Sequence, residues 1–440
     1  MNPKRRLILT AAVAAPVAYL AYKRPGKNGG AHDEYFRAMQ KALADAELFR
    51  PTLVIDRERL MANVATLKSH LPKNKHYRIV AKSLPSMPLI REVSAATNSK
   101  LLMVFHEPHL HVCAAEMPDA ELLLGKPMPA PLAHRFFTRL KPGAFDASKQ
   151  IEWLVDTPQR IAEYRDLARA RSNNAGAASA AMPSHAMRLN LEVDVGLHRG
   201  GFKTALDVAD AIKAVRAEPS LAFSGFMGYE AHAAKIPDAL GGVRGALAKA
   251  KSFYGECIDA AKQVLGDTYD PNKLTLNMGG SNTYEYYTES DVCNELSVGS
   301  GLVKPTDFDT AGLADHVPAA FIGTPVLKAM DTTEIPGLES MAGLFRAWDP
   351  NTARTFYIYG GYWLATPVSP PGLQRNNIWG HSTNQDMLNG SADVQLGVGD
   401  FVFQRPHQAE FVLLQFGDLA VYEKGKIVAS WPVFNESGDV

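Results

Sequence analysis

Cysteine is nearly missing from this chain. Cys113, Cys257 and Cys293 are the only three in 440 residues, far apart and odd in number. They form no CxxC pair and no disulfide framework, which leaves three packed or free thiols. Net charge is missing too. Lys plus Arg and Asp plus Glu number 46 each, so there is no electrostatic ground for a nucleic-acid partner. No GxGxxG follows the first predicted strand, which argues against a doubly wound dinucleotide-binding sheet. The apolar run at the N-terminus, Leu7 to Tyr22, follows Lys4, Arg5 and Arg6 and is closed by Lys23 and Arg24. It is too short for a comfortable membrane span of about 20 residues and suits a long signal-peptide core.

Arg5-Arg6 followed by Leu7-Ile8-Leu9 resembles a twin-arginine export signal, which suits a protein exported already folded around a cofactor. The only neat small-x-small site, Ala12-Val13-Ala14, leaves too little apolar core before it. An ordinary N-terminal helix is the competing reading. Residues 1–27 are expected to serve periplasmic export or membrane anchoring, and to stand outside the fold.

What is present is apolar mass, 46% of the chain, enough for a large core and more than one domain. From Pro51 to about Val303, short β-rich runs alternate with helical patterns. The predicted strands are Thr52–Ile55, Tyr77–Ala81, Lys100–Phe105, Ala120–Leu124, Ile151–Val155, Met187–Val193, Leu221–Met227 and Leu274–Met278. Amphipathic stretches such as Arg57–His70 and Ala205–Ala217 lie between them. Eight such units predict an α/β fold, a (β/α)8 TIM-like barrel, over residues 28–310. Ser172–Ala186, small and Ala-rich, reads as a flexible loop. Beyond residue 311, Pro and Gly punctuate short strands, among them Ala320–Leu327, Thr355–Leu364, Glu410–Gln415 and Leu419–Glu423. These predict a C-terminal all-β domain, 311–440, with a tight hairpin at Glu423-Lys424-Gly425-Lys426.

Barrel active sites lie at the C-terminal ends of the strands. Lys82 ends the predicted strand Tyr77–Ala81, where an apolar setting can keep its amine partly neutral for Schiff-base chemistry; a solvated surface lysine is the plain alternative. LEVDVGLHRGG, residues 191–201, brings acids, Arg199 and glycines to one mouth. Arg199 there can bond a cofactor oxygen or pair with Asp194 or Glu192. Tyr229 and His232, in GYEAH, can cover a ring and move protons, or simply pack. Gly279, Gly280 and Ser281 in NMGGSNT, with Gly299 and Ser300 in SVGSG, can offer backbone N–H groups to a phosphate, or be turns.

The order AKS, LEVDVGLHRGG, GYEAH, NMGGSNT, SVGSG resembles the fold-type-III pyridoxal-phosphate enzymes with an alanine-racemase-like barrel. It is most similar to the D-threonine aldolase and D-serine dehydratase group. The resemblance runs from about residue 51 to the end, where Trp431-Pro432-Val433 matches the group's closing strands. It implies pyridoxal 5'-phosphate as cofactor, carried by Lys82 as an internal aldimine. It implies Arg199 beside the cofactor oxygen, Tyr229 near the ring, and Gly279, Gly280, Ser281, Gly299 and Ser300 around the phosphate. It implies a homodimer and a small amino-acid substrate.

One departure stands out. The group carries a metal pair written His-x-Cys or His-x-Asp, whereas here Pro406-His407-Gln408-Ala409-Glu410 has alanine as the second member. If Glu410 lies in a strand it faces away from Ala409's side, so a divalent metal, Mn or Zn, is not expected to be held. The expected function is a lyase on a D-β-hydroxy amino acid, by aldol cleavage or dehydration, with His232 as base. A racemase or epimerase is the alternative, and a non-catalytic cofactor-binding protein the second.

Overall fold

The computed structural model describes residues 24–141, 143–174, 186–334, 336–376, 380–435 and 437. The expected export segment lies outside them up to residue 23. So do residues 175–185 of the expected loop, whose start is taken by the helix Pro158–Asn174. Among the described residues no helix is long and apolar enough to cross a membrane.

The chain forms two compact units. One takes the described residues up to Val54 together with Phe321–Pro406 and Tyr422–Val428; the other takes Ile55–Ala320, His407–Val421 and Ala429 onward. The first strand, β1 (Thr52–Asp56), is not a barrel strand. The closed parallel barrel consists of β2 (His76–Val80), β3 (Leu101–Val104), β4 (Glu121–Leu124), β5 (Ile151–Val155), β6 (Met187–Val193), β7 (Leu221–Gly228), β8 (Thr275–Met278) and β9 (Glu295–Val298). The expected count of eight holds, but its membership is shifted by one. Thr52–Asp56 leads into the helix Arg57–His70 as a barrel strand would, with Asp56 capping Arg59 N–H at 2.9 Å. Its neighbours are instead distant strands of the β unit. The real eighth strand reads Glu-Leu-Ser-Val, and its polar members escape a search for apolar runs.

Those polar residues close the barrel floor. Asn277 on β8 donates to Glu295 Oε1 and to Ser297 Oγ on β9, each at 2.7 Å. Glu295 in turn accepts a forked pair from Arg78 on β2, at 2.5 and 2.8 Å. Arg78 also donates to the carbonyls of Leu102 and Glu121, at 2.9 and 3.0 Å. Glu152 on β5 gathers donors from Arg188, Asn190, Ser224 and Thr275. Because the carboxylates of Glu295 and Glu152 each meet several donors, these charges tolerate burial. Around them the strand residues are apolar and buried on both faces, the usual state of parallel strands.

The other sheet has nine strands. Seven run in the order β13 (Gln374–Arg375), β14 (Met387–Gly390), β11 (Arg354–Ile358), β10 (Ala320–Met330), β1, β16 (Leu419–Glu423) and β17 (Lys426–Trp431). Off that path, β12 (Ala365–Ser369) pairs with β15 (Phe401–Pro406), which pairs with β10. The expected hairpin joins β16 to β17: Lys424 and Gly425 both have positive φ, 49° and 77°, the signature of a type I′ turn. The fold reaches back to Gly26. Gly26 O accepts from Asn351 Nδ2 at 2.9 Å, Asn28 N–H donates to Asn351 Oδ1 at 2.8 Å, and Lys27 pairs with Asp393 at 2.6 Å. The expected strand at Glu410 is also different: Glu410–Leu413 is a single helical turn, with Leu413 N–H on Ala409 O at 3.2 Å. Short apolar runs do not distinguish strand from helix by pattern alone.

Candidate active site

Strand β2 ends at Val80, and one turn of 3-10 helix, Ala81–Ser83, carries Lys82 across the barrel mouth. Lys82 faces a cavity that encloses about 560 Å³ with its opening included. Its Nζ lies 2.7 Å from Glu410 Oε1 and 4.7 Å from the centre of the Phe105 ring. Opposite stand two glycine-serine turns, one after β8 and one after β9. Ser281 Oγ accepts from the N–H of Gly301 at 2.9 Å and of Gly299 at 3.4 Å, which fixes the two turns to each other. Ser300 Oγ shares a hydrogen bond with Ser83 Oγ at 2.9 Å.

Two of the glycines are needed for space. A Cβ on Gly299 would lie 2.7 Å from Val80 Cβ and 2.9 Å from Ser83 Cβ. A Cβ on Gly280 would lie 2.7 Å from Tyr229 Cε2, so that glycine lets the aromatic ring lie against the turn. The Gly279 and Gly280 amides, expected from the sequence to meet a phosphate, are taken by neighbouring side chains. They donate to Glu230 Oε2 at 3.3 Å and to Thr283 Oγ1 at 3.0 Å. By contrast, the N–H groups of Ser281 and Ser300 find no acceptor among the described residues. Two unpaired amides with serine hydroxyls beside them form a concave donor set that suits a phosphate.

Arg199, Tyr229, Gly279, Gly280, Ser281, Gly299 and Ser300 all line this cavity with Lys82. Arg199 makes no ion pair with Asp194, whose carboxylate is taken by the His198 ring and by the His198 and Gly196 amides. Its guanidinium lies 5.5 Å from the Tyr229 ring centre. Burial pushes the Tyr229 hydroxyl up to about 12, with Glu230 and Glu410 adding to the rise and Arg199 opposing it. Burial likewise raises Glu192 above the ordinary carboxylate range, against Arg199. His232 does not line the cavity. It sits beside Gly196, where a Cβ would come within 3.0 Å of its Nε2, and among the described residues its buried Nδ1 has no partner. Burial holds its pKa below the usual value, with His198 pushing the same way.

Sequence reasoning missed Phe105, Phe308 and Glu410 as lining residues. Phe105 follows β3 directly, so the strand-end rule that found Lys82 reaches it too. Glu410 had no such signal, because its approach to Lys82 spans more than three hundred positions. Ala409 is fully buried, and among the described residues no group of three His, Cys, Asp or Glu is placed to hold a metal ion.

The sequence profile of the family described as alanine racemase, N-terminal domain, matches residues 55–307. The chain belongs to this family. Its fold is shared with solved structures at low identity. D-threonine aldolase from Filomicrobium marinum aligns at 15% identity and a TM-score of 0.63, covering 87% of this chain and 95% of that one. D-threo-3-hydroxyaspartate dehydratase from Delftia sp. HT23 gives 15%, 0.63, 87% and 97%. Alanine racemase from Bacillus anthracis gives 13%, 0.61, 87% and 98%. No curated protein sequence matches the chain. Membership of this fold-type-III family implies pyridoxal phosphate. The cavity fits that group: an amine at one side, an aromatic ring along the wall, and unpaired amides with hydroxyls at the other.

Proposed function

We propose that this protein is a pyridoxal-phosphate-dependent lyase acting on a D-configured β-hydroxy amino acid. The observation that carries the reading is the placement of the Lys82 amine across one cavity from the unpaired Ser281 and Ser300 amides. Lys82 would hold the cofactor's carbonyl carbon, Ser281 and Ser300 its phosphate, and Tyr229 its ring, with Arg199 beside its oxygen. When bound, the cofactor supplies an electron sink for the bond broken at the substrate's α-carbon. The chain's own residues do the rest. Phe105, Phe308 and Met227 exclude water from the cavity, which strengthens every charge interaction inside it. His232 lies off the cavity wall, so the proton acceptor is better sought in Lys82 or Glu410. The kinship in fold with an aldolase and a dehydratase supports a lyase.

A racemase is the second reading, favoured by Ala409. With no second chelating side chain beside His407, a β-hydroxyl would have no metal to hold it, and a racemase requires none. One experiment tests both. The purified protein is loaded with pyridoxal phosphate, its visible absorbance is recorded, and D- and L-β-hydroxy amino acids and alanine are screened. A lyase releases a carbonyl product; a racemase yields the mirror amino acid and none. A protein that takes up no cofactor overturns both readings. We propose in addition that the segment before residue 24 directs export or membrane attachment, and that the enzyme works as a homodimer.

A further inference from the structure

Glu410 and Phe105 hold the Lys82 amine from two sides, at 2.7 Å and 4.7 Å. A carboxylate and an aromatic face, both partly shielded from water, make a good seat for an ammonium ion. The seat is anchored from behind. Val412 and Leu413 are buried, Asp307 N–H donates to His407 O at 3.0 Å, and Gln408 Nε2 donates to Asp307 Oδ2 at 3.1 Å. The carboxylate is therefore held in place while Lys82 engages the cofactor. Lys82 is also the group that must engage the cofactor, and a lysine nitrogen joined to a carbonyl carbon no longer offers the three donors of an ammonium. Among the described residues Glu410 has no other ion-pair partner. The Glu410 carboxylate is part-exposed, so it is open to a second cation, and the cavity that exposes it is the one a substrate enters.

We propose that Glu410 is a substrate-binding residue, the subsite for the ammonium group of the incoming amino acid. The inference rests on the pyridoxal-phosphate reading above and deepens it. The substrate's nitrogen has to reach the place where Lys82 Nζ stands, and the Glu410–Phe105 seat draws it there. The site then selects amines over equally shaped acids that lack one.

The test uses the cofactor-loaded protein, as wild type, Glu410→Gln and Glu410→Asp. Each is titrated with D- and L-serine and alanine, and with the glycerates and lactates that carry hydroxyl in place of the amine. Binding is read as the change in cofactor absorbance for the amino acids, and as competition against them for the hydroxy acids. Glu410→Gln is expected to raise the half-saturating concentration of the amino acids by roughly tenfold or more, the worth of a charge-assisted hydrogen bond. The hydroxy acids should move by less than about twofold, and Glu410→Asp should recover part of the loss. Equal shifts for both ligand classes, or no shift in either, overturn the subsite. A Glu410→Gln protein that takes up no cofactor makes Glu410 a support for Lys82 alone and overturns it too. A wild type that takes up no cofactor, or whose loaded form responds to no amino acid, overturns the proposed function and the subsite together.

Discussion

Strand β2 and the turn that follows it carry two cations, Arg78 and Lys82, and each faces a glutamate. At the floor of the barrel the Arg78 and Glu295 side chains are 1% and 4% exposed; at its mouth those of Lys82 and Glu410 are 36% and 29% exposed. The floor pair is forked, and Arg78 Nη1 also donates to two backbone carbonyls. A guanidinium in that setting does not give up its proton and has no freedom to leave. The mouth pair has one contact and an open side. A lysine amine can lose its proton, attack a carbonyl carbon and return. The same charge pairing is structural where it is closed on all sides, and chemical where one side is left open to a ligand.

The sharpest way to break this comparison is to cut each pair in turn. Glu295→Ala leaves Arg78 buried and unpaired, and should cost about 3–5 kcal/mol in urea unfolding. Lys82→Ala should change stability by no more than about 1 kcal/mol, since a part-exposed pair contributes little. It should nonetheless lose every borohydride-reducible link to pyridoxal phosphate. If Lys82→Ala unfolds the protein, or keeps a reducible link, the contrast between floor and mouth is wrong.

A gentler probe compares two glycines. Gly299→Ala forces a methyl into Val80 and Ser83 and should cost about 1–3 kcal/mol and weaken cofactor uptake. Gly245, inside the helix Gly242–Leu265, has open space around it, and Gly245→Ala should stabilise by about 0.5–1 kcal/mol. Equal outcomes for the two would show that the turn after β9 can move aside.

The Arg78 guanidinium keeps its proton throughout the working range, so the pH response of stability has to come from elsewhere. His316 is a buried candidate. Burial lowers its pKa from 6.5 to about 4, with Lys304 and His70 pushing the same way and Asp315 opposing. Between those values the unfolded chain binds the proton and the folded one does not. Stability from this group is therefore full above 6.5 and is lost as pH falls toward 4. Melting temperatures across that window should fall less steeply for His316→Gln. A slope that is unchanged by the substitution assigns the acid sensitivity to other groups.

The smallest effect expected is that of a chelator. With Ala409 beside His407, activity should survive treatment that strips a singly held ion. Loss of activity, restored by manganese or zinc, would mean that the mouth holds a metal and would change the role assigned to Glu410.

The sequence by itself determined the local features. Alternating apolar runs and helices announced a barrel, the Lys424-Gly425 turn announced a hairpin, and strand ends with unusual chemistry marked Lys82, Arg199, Tyr229 and the glycine-serine turns. Each of these depends on side-chain period or on φ at one or two residues, and such information lies within a few positions of the chain. Only the tertiary structure decided which eight strands close the barrel. Thr52–Asp56 and Glu295–Val298 exchanged roles because closure depends on which edges pair, not on how apolar a segment is. It also decided which amides of the glycine-serine turns are taken, since Glu230 and Thr283 accept from Gly279 and Gly280 while Ser281 and Ser300 find no acceptor among the described residues. It moved His232 off the wall and brought Glu410 onto Lys82. A contact between residues so far apart leaves no trace in local pattern, because the distance that creates it exists only after the chain has folded.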